Sequence, residues 1–289
     1  MFISDRLDRR PLRFSAAAFF PLVFLLSISL AYGAPRICTQ MQDLDARQTP
    51  LSSSASAQSI RGYNSSRIAL LRQCLWAPGK ILKVLFLDGT PAIQAKVRRY
   101  ALQWNQYSGV KFQFVSEGPA EIRVTFVGDV AQSYIGTACL DSKIIGATMW
   151  LGLLNNNPAD DEYSRVVLHE FGHALGCIHE HQNPTAGILW NKEAVYAAYA
   201  KAPIFWSAAQ VDQNIFQLYS STTTQFTSFD ATSIMLYAIP AEFTLNGFTV
   251  DWNRVLSDTD KAFIAGIYPQ TPPSSLSAPS GATVEIGIK

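Results

Sequence analysis

From residue 76 onward the apolar positions fall into runs whose period changes along the chain. "ILKVLFLDG" groups Ile81, Val84, Leu85 and Phe86 in one short run, which predicts a strand. "PAIQAKVRRYALQWNQYSG" opens on proline, repeats apolar residues at Ile93, Val97, Tyr100, Ala101 and Trp104, and stops at Gly109, which predicts a helix. "VKFQFV" alternates cleanly, "AEIRVTFVG" alternates through Ile122, Val124 and Phe126, and "ATMWLGLL" is a further strand-like run. After the turn-forming "NNNPADDE", an acidic first turn leads into the helical pattern "YSRVVLHEFGHALG". The first half therefore reads strand, helix, three strands, helix.

Beyond Pro184 the texture changes. "KEAVYAAYA" and "AAQVDQNIFQLY" predict two helices, a long loop follows through "SSTTTQFTSFDATSIMLY", and "SDTDKAFIAGIY" predicts a last helix N-capped by Ser257. These elements set a catalytic-domain expectation of residues 76–270, with halves at 76–180 and 181–270. Residues 35–75 read as a leader or pro-segment, aperiodic up to residue 66 and containing "SSSASAQS". Residues 271–289, rich in Pro, Ser and Gly, read as a flexible tail. The chain carries no internal repeat.

The N-terminus changes the compartment. Arg6, Arg9, Arg10 and Arg13 precede the uncharged run "FSAAAFFPLVFLLSISLAYGA", which ends in small residues and contains Pro21. That order predicts a signal peptide over residues 1–34, cut after Gly33 or Ala34, rather than a retained anchor. The product is expected to be secreted, free of the membrane and monomeric. In an oxidising compartment the four cysteines, Cys38, Cys74, Cys139 and Cys177, predict two disulfides; Cys38 with Cys74 is preferred to a free Cys38 thiol acting as a switch. Asn64 heads a glycosylation sequon. A net charge of +1 offers no footprint for nucleic acid.

All four histidines of the 289 residues lie within "HEFGHALGCIHEH". His169 and His173 are four apart, so a helix projects both from one face, a turn from each other, where two imidazoles can share an ion. Glu170 lies one position round, close to that ion without being a ligand. His179 is about 240° further round an ideal helix than His173 and cannot join them while the helix continues. Gly176 stands where a left-handed turn would end the helix and swing His179 back. Three neutral imidazoles on Zn²⁺ leave an open position, the arrangement of a catalytic rather than a structural site. His181 falls outside the pattern and reads as a surface or supporting histidine.

"HEFGHALGCIH" spells HExxHxxGxxH, which resembles the long zinc motif of the metzincin metalloproteases. Glu180, directly after the third histidine, resembles the astacin branch. "SIMLY", Ser233 to Tyr237, resembles the astacin Met-turn, and "LSDTDKAFIAGIYP" resembles that family's closing helix. Two departures mark a divergent, microbial-type astacin-like sequence: "HEHQNPTAGILWN" replaces an arginine- and aspartate-rich run, and Leu236 replaces the usual Met-turn histidine.

The resemblance implies an α+β zincin domain. A twisted mixed sheet and two long helices would form the first half, a mainly helical and irregular second half would follow, and the active-site cleft would lie between them. It implies one Zn²⁺ per chain held by His169, His173 and His179, with Met235 as the apolar floor. The reaction would be hydrolysis of peptide bonds by a zinc-activated water, with Glu170 as general base and Tyr237 stabilising the transition state. An extended protein or peptide substrate would pair along an edge strand near Met149–Leu151. Glu180 would anchor a newly freed N-terminus. Activity should fall in acid as the imidazoles protonate. Two alternatives stay open: a catalytically inactive zinc- or peptide-binding module, and a zinc hydrolase of non-peptide specificity.

Overall fold

Thr90 starts the first helix. Its hydroxyl accepts from the Ile93 N–H at 3.3 Å, and Pro91 fills the first turn, where a missing N–H is no loss. Helix α1 (Pro91–Ala101) then buries Ile93, Val97 and Ala101 along one face. The computed structural model describes residues 69–270, apart from 203 and 227, and the backbone of residues 38–41. The signal peptide, Asn64, the tail and most of the expected leader lie outside the described residues.

The strands are β1 (Cys38–Met41), β2 (Leu70–Leu71), β3 (Ile81–Phe86), β4 (Lys111–Val115), β5 (Ile122–Thr125), β6 (Ala131–Tyr134), β7 (Met149–Leu151) and β8 (Thr224–Gln225). Six form one sheet in the order β1-β6-β7-β5-β3-β4. β3 is parallel to β4 and β5, β5 to β7 and β1 to β6, while β6 runs antiparallel to β7. This mixed sheet, with helices α1 and α2 (Asp160–Ala174) packed together beside it, makes the fold α+β.

Helix α2 opens on Asp160, Asp161 and Glu162, three carboxylates at the positive end of the helix dipole. Asp160 also pairs with Lys96 at 3.0 Å and Arg99 at 2.5 Å, tying the start of α2 to α1. From Tyr163 to Ala174 every residue of α2 is buried, so the helix is enclosed on all sides. Trp104 lies against it with no exposed surface and donates its indole N–H to the Leu168 carbonyl at 3.0 Å. Burying a side chain of that size contributes on the order of 3 kcal/mol.

The second half supplies α3 (Lys192–Tyr199), α4 (Ala208–Val211), which runs on as a π-helical turn over Asp212–Phe216, and α5 (Asp258–Ile267). The expected helix "AAQVDQNIFQLY" is therefore shorter, because Gln217 turns extended. Ser257 caps α5 as expected, within a capping box completed by Asp260. No helix among the described residues is long and apolar enough to cross a membrane.

Three expectations need correction. Met149–Leu151 is not an edge strand: β7 has β5 on one side and β6 on the other. The strand outside it, "AQSY", buries only Ala131 and Ser133 and so carries no large apolar alternation to read. Residues 69–75 are packed rather than leader-like, since Ala69, Leu70, Leu71 and Cys74 are buried and β2 pairs with β8. Finally, Cys74, Cys139 and Cys177 are buried free thiols, and no disulfide occurs among the described residues. Burial pushes the Cys139 thiol up to about 12 and raises those of Cys74 and Cys177.

Candidate metal centre

Helix α2 ends in a Schellman motif. Gly176 takes φ +104°, its N–H donates to the His173 carbonyl at 2.8 Å, and the Cys177 N–H donates to the Gly172 carbonyl at 3.1 Å. Two further carbonyls at this end are satisfied from outside: the Trp76 indole donates to Ala174 at 2.8 Å and the Tyr268 hydroxyl to Leu175 at 2.8 Å. The chain then leaves the helix extended, with His179 at φ −63° and ψ 135°. Backbone bonds hold both flanks of His179: Ile178 N–H to the Ala69 carbonyl at 3.1 Å, and Glu180 N–H to the Met235 carbonyl at 3.0 Å.

His169, His173 and His179, all buried, bring three ring nitrogens within 4.8 Å of one another, and this group can hold a metal ion. His169 Nδ1–H donates to the Ile234 carbonyl at 2.8 Å, and His173 Nδ1–H donates to the Cys177 carbonyl at 2.8 Å. Both tautomers are thereby fixed with Nε2 as a bare lone pair, the form a metal needs. His169 Nε2 is buried without a hydrogen-bond partner. His173 Nε2 and His179 Nε2 face each other at 3.2 Å. With His179 in the tautomer a metal needs, both nitrogens present lone pairs that repel unless a cation lies between them, and three imidazoles suit Zn²⁺. Burial holds His173 down at about 4 and keeps His169 and His179 well below the ordinary imidazole value.

Glu170 lies on α2 between the first two histidines, fully buried, and is not one of the converging group. Tyr237 is 5% exposed and reaches the same place from the second half of the chain. Its ring centroid lies 4.3 Å from that of His179 and 5.9 Å from that of His169. Met235 is buried beneath α2, where a Cβ added at Gly172 would lie 2.5 Å from its sulfur. Glu180 is buried, so it is not a solvated glutamate. Its Oε1 accepts from Asp230 N–H at 2.9 Å and Asn183 Nδ2 at 3.1 Å, its Oε2 has no partner, and burial pushes the carboxyl up to about 8.

Sequence reasoning missed three contributors, Trp252, Gly172 and Arg165, and left His181 between a surface and a supporting place. His181 is buried rather than on the surface. Its Nε2 donates to the Asn214 carbonyl at 3.0 Å, and its ring packs 4.9 Å from Tyr237 and 5.1 Å from His179. Trp252 stands edge-on to Tyr237 at 6.1 Å and carries the Arg165 guanidinium over its own ring at 4.3 Å. Gly172 had a readable signal, a glycine inside a strongly helical pattern, which marks close packing. Trp252 and Arg165 had none.

No family model matches the chain, and no curated protein sequence matches it significantly. Among solved structures, one of myroilysin is 46% identical with a TM-score of 0.69, covering 71% of this chain and 100% of that one. A crystal structure of myroilysin is 37% identical with a TM-score of 0.57, covering 82% of this chain and 92% of that one. High choriolytic enzyme 1, a hatching enzyme zinc-protease from Oryzias latipes (Medaka fish), matches at 18% identity and a TM-score of 0.47, over 68% of this chain and 94% of that one.

Proposed function

The chain belongs to the astacin-like zinc metalloproteases, as its likeness to myroilysin shows, and from that premise we propose a secreted endopeptidase that holds one Zn²⁺ on His169, His173 and His179. The observation that carries the reading is the convergence of three buried imidazoles beside the buried Glu170 carboxylate. When bound there, zinc supplies Lewis-acid chemistry, polarising the oxygen atoms beside it. Glu170 takes the proton of the attacking water on its carboxylate and returns it to the leaving amine. The Tyr237 hydroxyl donates a hydrogen bond to the oxygen on which negative charge develops.

An extended peptide substrate pairs by its main chain along Ala131–Tyr134, the strand outside β7. What supports this is that residues 38–41 already pair with that strand, Cys38 opposite Ala131 and Met41 opposite Tyr134. On this reading the leader is a pro-segment that must leave β6 before a substrate takes its place. The unpartnered, buried Oε2 of Glu180 supports a role as anchor for the new N-terminal ammonium.

Casein hydrolysis tests the reading. The purified protein should cleave casein, lose that activity to a zinc chelator and regain it with added zinc. Glu170→Ala should leave zinc bound and remove the activity. Cleavage that survives Glu170→Ala sinks the proton-transfer role, and a protein that binds zinc but never cleaves a peptide is a binding module or another hydrolase.

A further inference from the structure

Asp260 lies on α5, far along the chain from the histidines, yet its carboxylate is turned into the protein with no exposed surface. Capping α5 explains one of its bonds, the Ser257 N–H to Oδ2 at 2.8 Å. The others go to the Met-turn. Oδ1 accepts from the Ser233 hydroxyl at 2.8 Å and Oδ2 accepts from the Ile234 N–H at 2.9 Å. Ser233 Oγ in turn accepts from the Met235 N–H at 3.1 Å. An acid that only closes a capping box needs none of these and normally faces water. Here a buried carboxylate, costly to desolvate, is spent on holding one turn of backbone.

That turn carries the carbonyl on which His169 depends, because His169 Nδ1–H donates to Ile234 O at 2.8 Å. We propose that Asp260 is a positioning residue for the metal centre, fixing the 233–235 backbone so that the Ile234 carbonyl sets the tautomer and ring orientation of His169. His173 provides an internal contrast, since its acceptor is the Cys177 carbonyl four residues on, within the end of its own helix. Of these two anchored histidines, only His169 takes its orientation from a distant turn. Asn253 Nδ2 donates to the Ala231 and Ser233 carbonyls at 3.0 and 2.8 Å, holding the turn from its other side. The carboxylate therefore aligns the 233–235 backbone rather than tethering the loop as a whole. Removing it leaves the Ile234 N–H and the Ser233 hydroxyl without their acceptor, and Ser233 Oγ no longer holds the Met235 N–H in place, so the peptide whose carbonyl receives His169 Nδ1–H loses its fixed orientation without any ligand being touched. Losing an outer partner of a metal-ligating histidine commonly costs 10–100-fold in metal affinity.

The inference rests on the three-histidine reading, and the test separates the two. Zinc affinity is measured by chelator competition on the full chain, unaltered and as Asp260→Ala, Asp260→Asn and Ser257→Ala, with thermal stability followed alongside. The Co²⁺-substituted spectrum reports the ligand field. If the unaltered chain binds no zinc, the site reading fails. If it binds, Asp260→Ala should weaken zinc roughly 10–100-fold and shift the cobalt spectrum. Asp260→Asn, which keeps one acceptor for the Ile234 N–H, should recover part of the loss. Ser257→Ala removes the cap hydroxyl and its bond to Asp230 Oδ2, but leaves the Asp260 contacts to Ser233 and Ile234, so it should lower Tm and lose far less zinc affinity than the Asp260 variants. Wild-type affinity and spectrum in Asp260→Ala overturn the proposal; if that variant does not fold, the same result in Asp260→Asn does so. It is equally overturned if Ser257→Ala loses as much affinity as the Asp260 variants.

Discussion

Gly172→Ala puts two opposed effects on one atom. In an open helix interior, alanine in place of glycine adds about 1 kcal/mol of stability. At this position the new Cβ would lie 2.5 Å from Met235 Sδ, 3.3 Å from Met235 Cε and 3.3 Å from Trp104 Cζ2. Met235 and Trp104 have no exposed surface, so neither can swing into solvent to make room. Overpacking of that kind costs about 1–3 kcal/mol, which matches or exceeds the propensity gain, and the substitution should destabilise by up to about 2 kcal/mol. The cause can be isolated in a double-mutant cycle with Met235→Ala. That change alone should cost about 2–5 kcal/mol, because it empties space in a packed interior. With the sulfur gone, Gly172→Ala should be neutral or stabilising, giving a coupling of about 1–3 kcal/mol between the two sites. Urea unfolding of the four proteins, stripped of metal by a chelator, measures it. Effects that add to within about 0.5 kcal/mol would show that Met235 is not pressed against Gly172.

Two further outcomes follow from the same geometry. Tyr237→Phe removes the hydroxyl and keeps the ring stacked among His169, His179 and His181, so kcat for peptide cleavage should fall roughly 100-fold at little change in KM; an undiminished kcat removes Tyr237 from the reaction. Burial holds His181 down at about 4, so the unfolded chain takes up a proton before the folded one does. Its share of stability is whole above about pH 6.5 and is lost as pH falls towards 4, by roughly 3 kcal/mol; His181→Gln should flatten the acid stability curve of the metal-free protein, and an unchanged curve refutes the assignment.

What could be read from the sequence was whatever has a local period. The strand at Ile81–Phe86, the cap at Ser257 and the turn demanded by Gly176 are each written in a few neighbouring residues. The histidine cluster was legible for the same reason, since four-residue spacing and one glycine fix it. Position in the sheet was not. Because "AQSY" offers only Ala131 and Ser133 to the core, the outer strand leaves no trace in the sequence, and β7 reads there as an edge. "IALLRQC" reads with the leader because its role is long-range: Leu71 N–H donates to the Gly176 carbonyl at 3.3 Å and Ala69 accepts from Ile178. The disulfide expectation rested on compartment, which says nothing about which thiols the fold leaves in reach of each other. Nothing in the sequence separates Asp260 from an ordinary first-turn acid; its burial does.

These long-range supports share a direction. The second half of the chain supplies the acceptor for His169 and, through Met235, the backbone bond after His179; the 69–71 segment supplies the bond before it. His173 alone is oriented from within its own helix end. The helix motif thus delivers two imidazoles to one face, but the ion site exists only once residues 69–71 and 233–235 have docked on the end of α2. An ion bound to all three rings favours the docked arrangement, and so contributes its binding free energy to the stability of those contacts. The same coupling makes the contacts part of the affinity. A substitution that loosens Ala69 or the Met-turn is then felt as weaker metal binding, even though no ligand has changed.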